Sequence, residues 1–164
     1  MSNKDFPMTL AIRELLDNNV EFTPHVFPYE EKGGTAHSSK TLGVPEHSVI
    51  KTLIMENDSK EPLIILMHGD MQVSTKNLAR TLGVKSISPC KPEVADKHSG
   101  YQIGGTSPFG TKRKMPVYIE KSILDLDLIY INGGKRGYLV SIRPHELTRL
   151  LNPTLVEVGI LSKK

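Results

Sequence analysis

The chain of 164 residues holds a single cysteine, Cys90, no tryptophan, and only four phenylalanines and five tyrosines. One cysteine excludes a disulfide framework and any zinc site built from several thiolates. An aromatic content of 5% argues against a platform on which bases stack. No apolar run approaches the roughly 20 residues that a bilayer-crossing helix needs. Met1 to Asp5 carries no signal-peptide pattern. A cytoplasmic protein without a membrane partner is expected. The net charge of +3 fits a local basic patch for an anionic partner but does not demand one. The length suits one domain with a full core, so residues 1–164 are expected to form a single unit.

Local signals outline the elements. Pro7 opens a helix in which Met8, Ile12, Leu15 and Leu16 recur at helical spacing up to about Asn19. Glu21 to Tyr29 reads as extended, broken by Pro24 and Pro28. A short helix follows from Thr35 to Leu42, ended by Gly43. Val49–Met55 and Leu63–His68 read as buried strands, and Ser74 caps a helix running to Leu82. Pro92–His98 suits a helix, and Tyr101–Ile103 a strand. Met115–Ile119, Leu128–Asn132 and Tyr138–Ile142 are further strands; Pro144–Leu151 is a last helix, and Thr154–Val158 a last strand. This irregular mixture predicts an α+β domain with a mixed sheet.

Two features carry chemistry. Gly104-Gly105-Thr106-Ser107-Pro108-Phe109-Gly110 packs three glycines and a proline into seven residues. Such a segment brings backbone N–H groups close to a ligand, with no side chain in the way. Lys51 stands in an otherwise apolar strand, so it faces an interior or a cavity. Together they read as a site for a carbonyl oxygen or a phosphate. Gly105 to Lys112 narrowly misses a P-loop, because Thr111 stands where the lysine belongs. Gly133-Gly134-Lys135-Arg136-Gly137 follows another strand and is placed to lie beside the first loop. Lys112, Arg113, Lys114, Lys135 and Arg136 together make a basic rim for phosphates. The six histidines show no metal-binding spacing, and Cys90 reads as structural, so neither metal nor cofactor is expected.

Val-Ile-Lys-Thr-Leu at 49–53, Gly-Tyr-Gln-Ile-Gly-Gly-Thr-Ser-Pro-Phe-Gly at 100–110 and Gly-Gly-Lys-Arg-Gly at 133–137 resemble the YbaK family. Its members are single-domain relatives of the insertion domain of bacterial prolyl-tRNA synthetases. The resemblance covers nearly the whole chain and implies a mixed, curved sheet flanked by helices. It also implies metal-free trans-editing of mischarged aminoacyl-tRNA, Cys-tRNA(Pro) first, in which the substrate's own thiol attacks its ester. Carried over, it makes Lys51, Gly104, Gly105, Thr106 and Ser107 the catalytic set. Phe27, Tyr29, Pro108, Phe109, Gly133, Gly134, Lys135 and Arg136 are then substrate-binding. The partners it implies are the acceptor end of an aminoacyl-tRNA and prolyl-tRNA synthetase. Phe27 stands where a tyrosine is expected, and Tyr138-Leu139 where an aspartate is, so Ala-, Ser- or Thr-tRNA remain alternative substrates. A non-catalytic module binding tRNA or a synthetase and a general nucleotide-binding protein are the other readings. On any catalytic reading, a bulky residue at Gly105 is expected to plug the pocket.

Overall fold

Seven consecutive residues, Pro62–His68, are all buried, so the strand they form needs cover on both faces. The computed structural model, which describes residues 6–162, supplies it. In chain order the elements are α1 (Leu10–Asp17), β1 (Thr23–Val26), α2 (Gly34–Leu42), β2 (Val49–Asn57), β3 (Pro62–His68), β4 (Met71–Val73), α3 (Thr75–Leu82), β5 (Ile87–Pro89), α4 (Pro92–Ser99), β6 (Val117–Glu120), β7 (Ile129–Lys135), β8 (Tyr138–Ile142), α5 (His145–Leu151), β9 (Thr154–Val156) and β10 (Gly159–Leu161). The main sheet has the order β1-β8-β7-β2-β3-β6-β9, with β5 also on β2, and β4 pairs separately with β10. Both parallel and antiparallel pairs occur: β2 runs antiparallel to β3 and parallel to β7.

Period-two alternation divides the interior. Ile50, Ile54, Ile64 and Leu66 face a core shared with Ile12 and Leu15 of α1, Ala95 of α4 and Leu147 of α5. Met55, Leu63, Ile65 and Met67 face a second core with Leu78 and Ala79 of α3. Caps set the helix limits. The Thr9 and Ser74 hydroxyls accept from the N–H groups of Ile12 and Asn77. Gly43, Gly83 and Gly100 end α2, α3 and α4 in the left-handed conformation.

The mixed α+β sheet follows the expectation, and Tyr138–Ile142 forms a strand over those residues. Tyr101–Ile103 does not: it turns, with Tyr101 buried in the core. Short strands β4, β5 and β10 lie below the length at which alternation is readable. No described helix is long and apolar enough to cross a membrane.

The C-terminal segment is tied down by Glu120. Its buried carboxylate accepts from the N–H of Val158 at 2.8 Å and of Gly159 at 3.0 Å. Glu120→Ala strands both donors and should cost about 2–4 kcal/mol in urea unfolding, since charge-assisted bonds and orphaned donors each count for roughly 1–3 kcal/mol.

Candidate functional site

The edge of β2 opposite β3 is shared by two strands and filled by neither. β7 pairs only with Val49 and Ile50, and β5 only with Met55 to Asn57. Between them a cavity of about 570 Å³ opens at Lys51, Thr52 and Leu53. Lys51 and Leu53 of β2, Asn132 of β7 and Leu139 of β8 line it, each one position out of phase with the core residues Ile50, Ile131 and Val140. α2 contributes Gly34, Thr35, His37 and Ser38, the β1–α2 connection contributes Phe27 and Tyr29, and Ile103, Gly104 and Thr106 complete the wall with Arg136 and Gly137.

The first glycine segment is a tight turn. The Gly105 N–H donates to the Gln102 carbonyl at 2.8 Å, and Gly104 sits inside the turn at φ +88°. The second is a bulge in β7, where the register with β8 slips between Asn132 and Lys135. There the Asn132 amide oxygen accepts from the N–H groups of Gly134 and Lys135, and the Thr9 hydroxyl donates to the Gly133 carbonyl. The two segments touch backbone to backbone. A Cβ on Gly105 would lie 2.6 Å from the Arg136 nitrogen and 2.8 Å from the Lys135 carbonyl carbon. Side chains tie them further: Arg136 Nε donates to the Ile103 carbonyl at 2.9 Å, and Asn132 Nδ2 to that of Gly104 at 3.3 Å. The Arg136 guanidinium lies 4.9 Å from the centre of the Tyr29 ring.

Lys51 is half-buried and its Nζ donates to the Met71 carbonyl. Burial pushes its pKa below the ordinary lysine value, opposed by the charges of Glu46 and Asp70. The cavity therefore presents one desolvated ammonium near a glycine turn.

Of the residues singled out from the sequence, Lys51, Gly104, Thr106, Phe27, Tyr29 and Arg136 line this cavity. Gly105, Ser107, Pro108 and Phe109 are buried and do not line it. The Ser107 hydroxyl accepts from the Phe109 N–H at 3.2 Å, and Phe109 is wholly inside the core. Gly133, Gly134 and Lys135 shape the bulge without lining the cavity. Two expectations change. A side chain at Gly105 pries the two segments apart rather than plugging the pocket, because backbone atoms stand in its way. Lys112 and Arg113 run along the end of α4, their N–H groups bonded to Ser99 and His98, and so do not rim the cavity.

Leu139 lines the cavity at the position where the family resemblance expects an aspartate, whereas Asn132 is a lining residue that the sequence reading does not single out. An asparagine just before two glycines was the available signal for a bulge. Histidines that are distant in sequence also meet. His47 and His68 stack at 3.7 Å, and with Asp70 their donor atoms lie within 4.8 Å of one another. Both His68 ring nitrogens are engaged, with the His47 carbonyl and the Ser122 hydroxyl, each at 2.7 Å. A metal ion there would displace bonds already made. Cys90 is buried and its thiol is pushed up to about 11, first by burial and then by its contact with Glu56. It is no nucleophile at neutral pH.

Residues 30–150 match the family model of an aminoacyl-tRNA editing domain. EbsC of Enterococcus faecalis, a proposed Cys-tRNA(Pro)/Cys-tRNA(Cys) deacylase, is 26% identical over 151 residues, covering 92% of each chain. The proline–tRNA ligase of Thermodesulfovibrio yellowstonii is 31% identical over 66% of this chain and 18% of its own length. The fold matches the crystal structure of a proposed trans-editing enzyme for prolyl-tRNA synthetase with a TM-score of 0.81, at 18% identity over 94% of this chain and 99% of that one. It also matches the crystal structure of APE2540 with a TM-score of 0.85, at 17% identity over 93% of this chain and 100% of that one.

Two measurements check this geometry. Gly105→Ala should destabilise the fold by about 1–3 kcal/mol, as overpacking does, and should shift the amide resonances of both glycine segments. Lys51→Met should leave the denaturation midpoint at neutral pH unchanged or higher. A lysine with a lowered pKa disfavours folding while it is charged, and that penalty fades only as pH rises through the folded value. A loss above about 1 kcal/mol would mean instead that the hydrogen bond to Met71 prevails.

Proposed function

Because the chain belongs to the aminoacyl-tRNA editing domain family, we propose that it is a trans-editing aminoacyl-tRNA deacylase acting chiefly on Cys-tRNA(Pro). The observation that carries this reading is that Lys51 and the Gly104 turn line one cavity. An aminoacyl ester is already an activated acyl group, so positioning and oxyanion stabilisation suffice. The cysteine thiolate of the substrate attacks its own ester carbonyl carbon. The S–C bond forms, the C–O bond to the ribose breaks, and the ribose oxygen takes up a proton. A cyclic thiolactone and free tRNA leave.

In that step the N–H groups of Gly104 and Thr106, which have no acceptor among the described residues, face the developing oxyanion. Lys51 exchanges the Met71 carbonyl for the terminal ribose or phosphate. Phe27 and Tyr29 form a wall for the terminal adenosine. Gly105, Ser107, Pro108 and Phe109 support the turn from below, and Gly133, Gly134 and Lys135 hold the bulge it rests on. Selection of the tRNA by prolyl-tRNA synthetase in the cytoplasm belongs to the same proposal. Leu139 lines the cavity where the family resemblance expects an aspartate, which keeps alanyl-, seryl- or threonyl-tRNA as the second reading, with water as the nucleophile.

A panel of cysteinyl-, alanyl-, seryl- and threonyl-tRNA tests the proposal. Fastest release from Cys-tRNA(Pro) is expected, unaffected by EDTA and lowered about 10²-fold by Lys51→Met, the scale of a misplaced substrate. No release above background from any of the four would overturn it.

A further inference from the structure

Gln102 to Gly105 is a four-residue turn closed by a 2.8 Å hydrogen bond, with Gly104 at φ +88° in its third position. That is the type II arrangement. Its type I alternative differs mainly by a flip of the central peptide, here Ile103–Gly104, and glycine adopts either form without steric cost. The flip matters because the C=O and N–H of a trans peptide point in opposite directions. In one orientation the Gly104 N–H is offered on the side away from Arg136. In the other, the Ile103 carbonyl oxygen stands in its place and repels an anion.

Three contacts select the orientation. Arg136 Nε donates to the Ile103 carbonyl at 2.9 Å, and its guanidinium is braced on the Tyr29 ring at 4.9 Å. Asn132 Nδ2 donates to the Gly104 carbonyl at 3.3 Å, which fixes the next peptide of the turn. The Gly104 N–H has no acceptor among the described residues. Arg136 follows the bulge that Asn132 organises, so both latches sit on the second glycine segment.

We propose that Arg136, together with Asn132, is a positioning residue: it holds the Ile103–Gly104 peptide in the orientation that offers the Gly104 N–H to the reacting ester carbonyl. This rests on the deacylase reading above and departs from the expectation that Arg136 binds substrate phosphate. A phosphate contact affects affinity and its salt dependence. A latch on an oxyanion donor affects turnover.

Arg136→Lys and Asn132→Asp separate the two roles. The lysine keeps the charge but loses the planar, stacked fork. The aspartate keeps the oxygen that the bulge needs and loses only the amide donor, which guards against a variant that fails to fold. Both variants should lower kcat about 10-fold to 100-fold, within the range seen when one oxyanion donor is lost. KM and its salt dependence should stay near those of the unaltered protein. In ligand-free protein the Gly104 amide resonance should shift or broaden in both. Unchanged kcat in Arg136→Lys, an effect confined to KM, or an unmoved Gly104 resonance would each overturn the latch. Should the unaltered protein deacylate no tRNA, the Gly104 resonance still decides the latch, so the two failures are distinguishable.

Discussion

Two stretches of bare backbone press against each other in this fold, and the cavity exists because they do. Gly105 lies so near the Lys135–Arg136 peptide that even a methyl group would overlap main-chain atoms. That contact places the 102–106 turn beside the uncovered part of the β2 edge, between the short pairings with β7 and β5. Were the segments apart, Lys51 and Gly104 would line separate surfaces. The glycines are thus required by approach distance at Gly105 and by positive φ at Gly104, two demands met by one residue type.

The electrostatics of the cavity follow from this construction. A lysine on a central strand loses solvation, which lowers its pKa, and its ammonium turns to the nearest carbonyl, that of Met71. The histidine pair and Asp70 sit on the segments flanking that lysine; His47 Nδ1 meets Asp70, and both His68 ring nitrogens are engaged with internal partners. Cys90, the one thiol, is held protonated. Besides Lys51, the cavity walls carry Arg136 and Lys32, the carboxylates of Glu30 and Glu31, His37, several hydroxyls and a few backbone donors. Such a set can orient and stabilise a reactive acyl group.

Much of this was legible in the chain. Val49–Met55 and Leu63–His68 are long enough for buried strands to be recognised, and Ser74 with Gly83 bounds α3 by capping chemistry alone. Lys51 stood out because a charge in an apolar strand demands an explanation. The glycine segments announced close approach, though not what they approached: Gly105 meets a peptide of its own chain rather than a ligand. Ser107 and Phe109 lay in the motif yet turned inward, a consequence of where the turn reverses the chain. Asn132, His47, His68 and Asp70 were hidden for a different reason. Asn132 works through a bulge, and His47, His68 and Asp70 meet through strand register; neither leaves a period in the sequence.

The bond between Lys51 and the Met71 carbonyl has a consequence for how long anything stays bound. An ammonium that already has an acceptor gains little by trading it for another, so occupancy is an exchange of near-equals rather than a net new attraction. On the proposed deacylase reading, weak retention places discrimination on the chemical step rather than on grip.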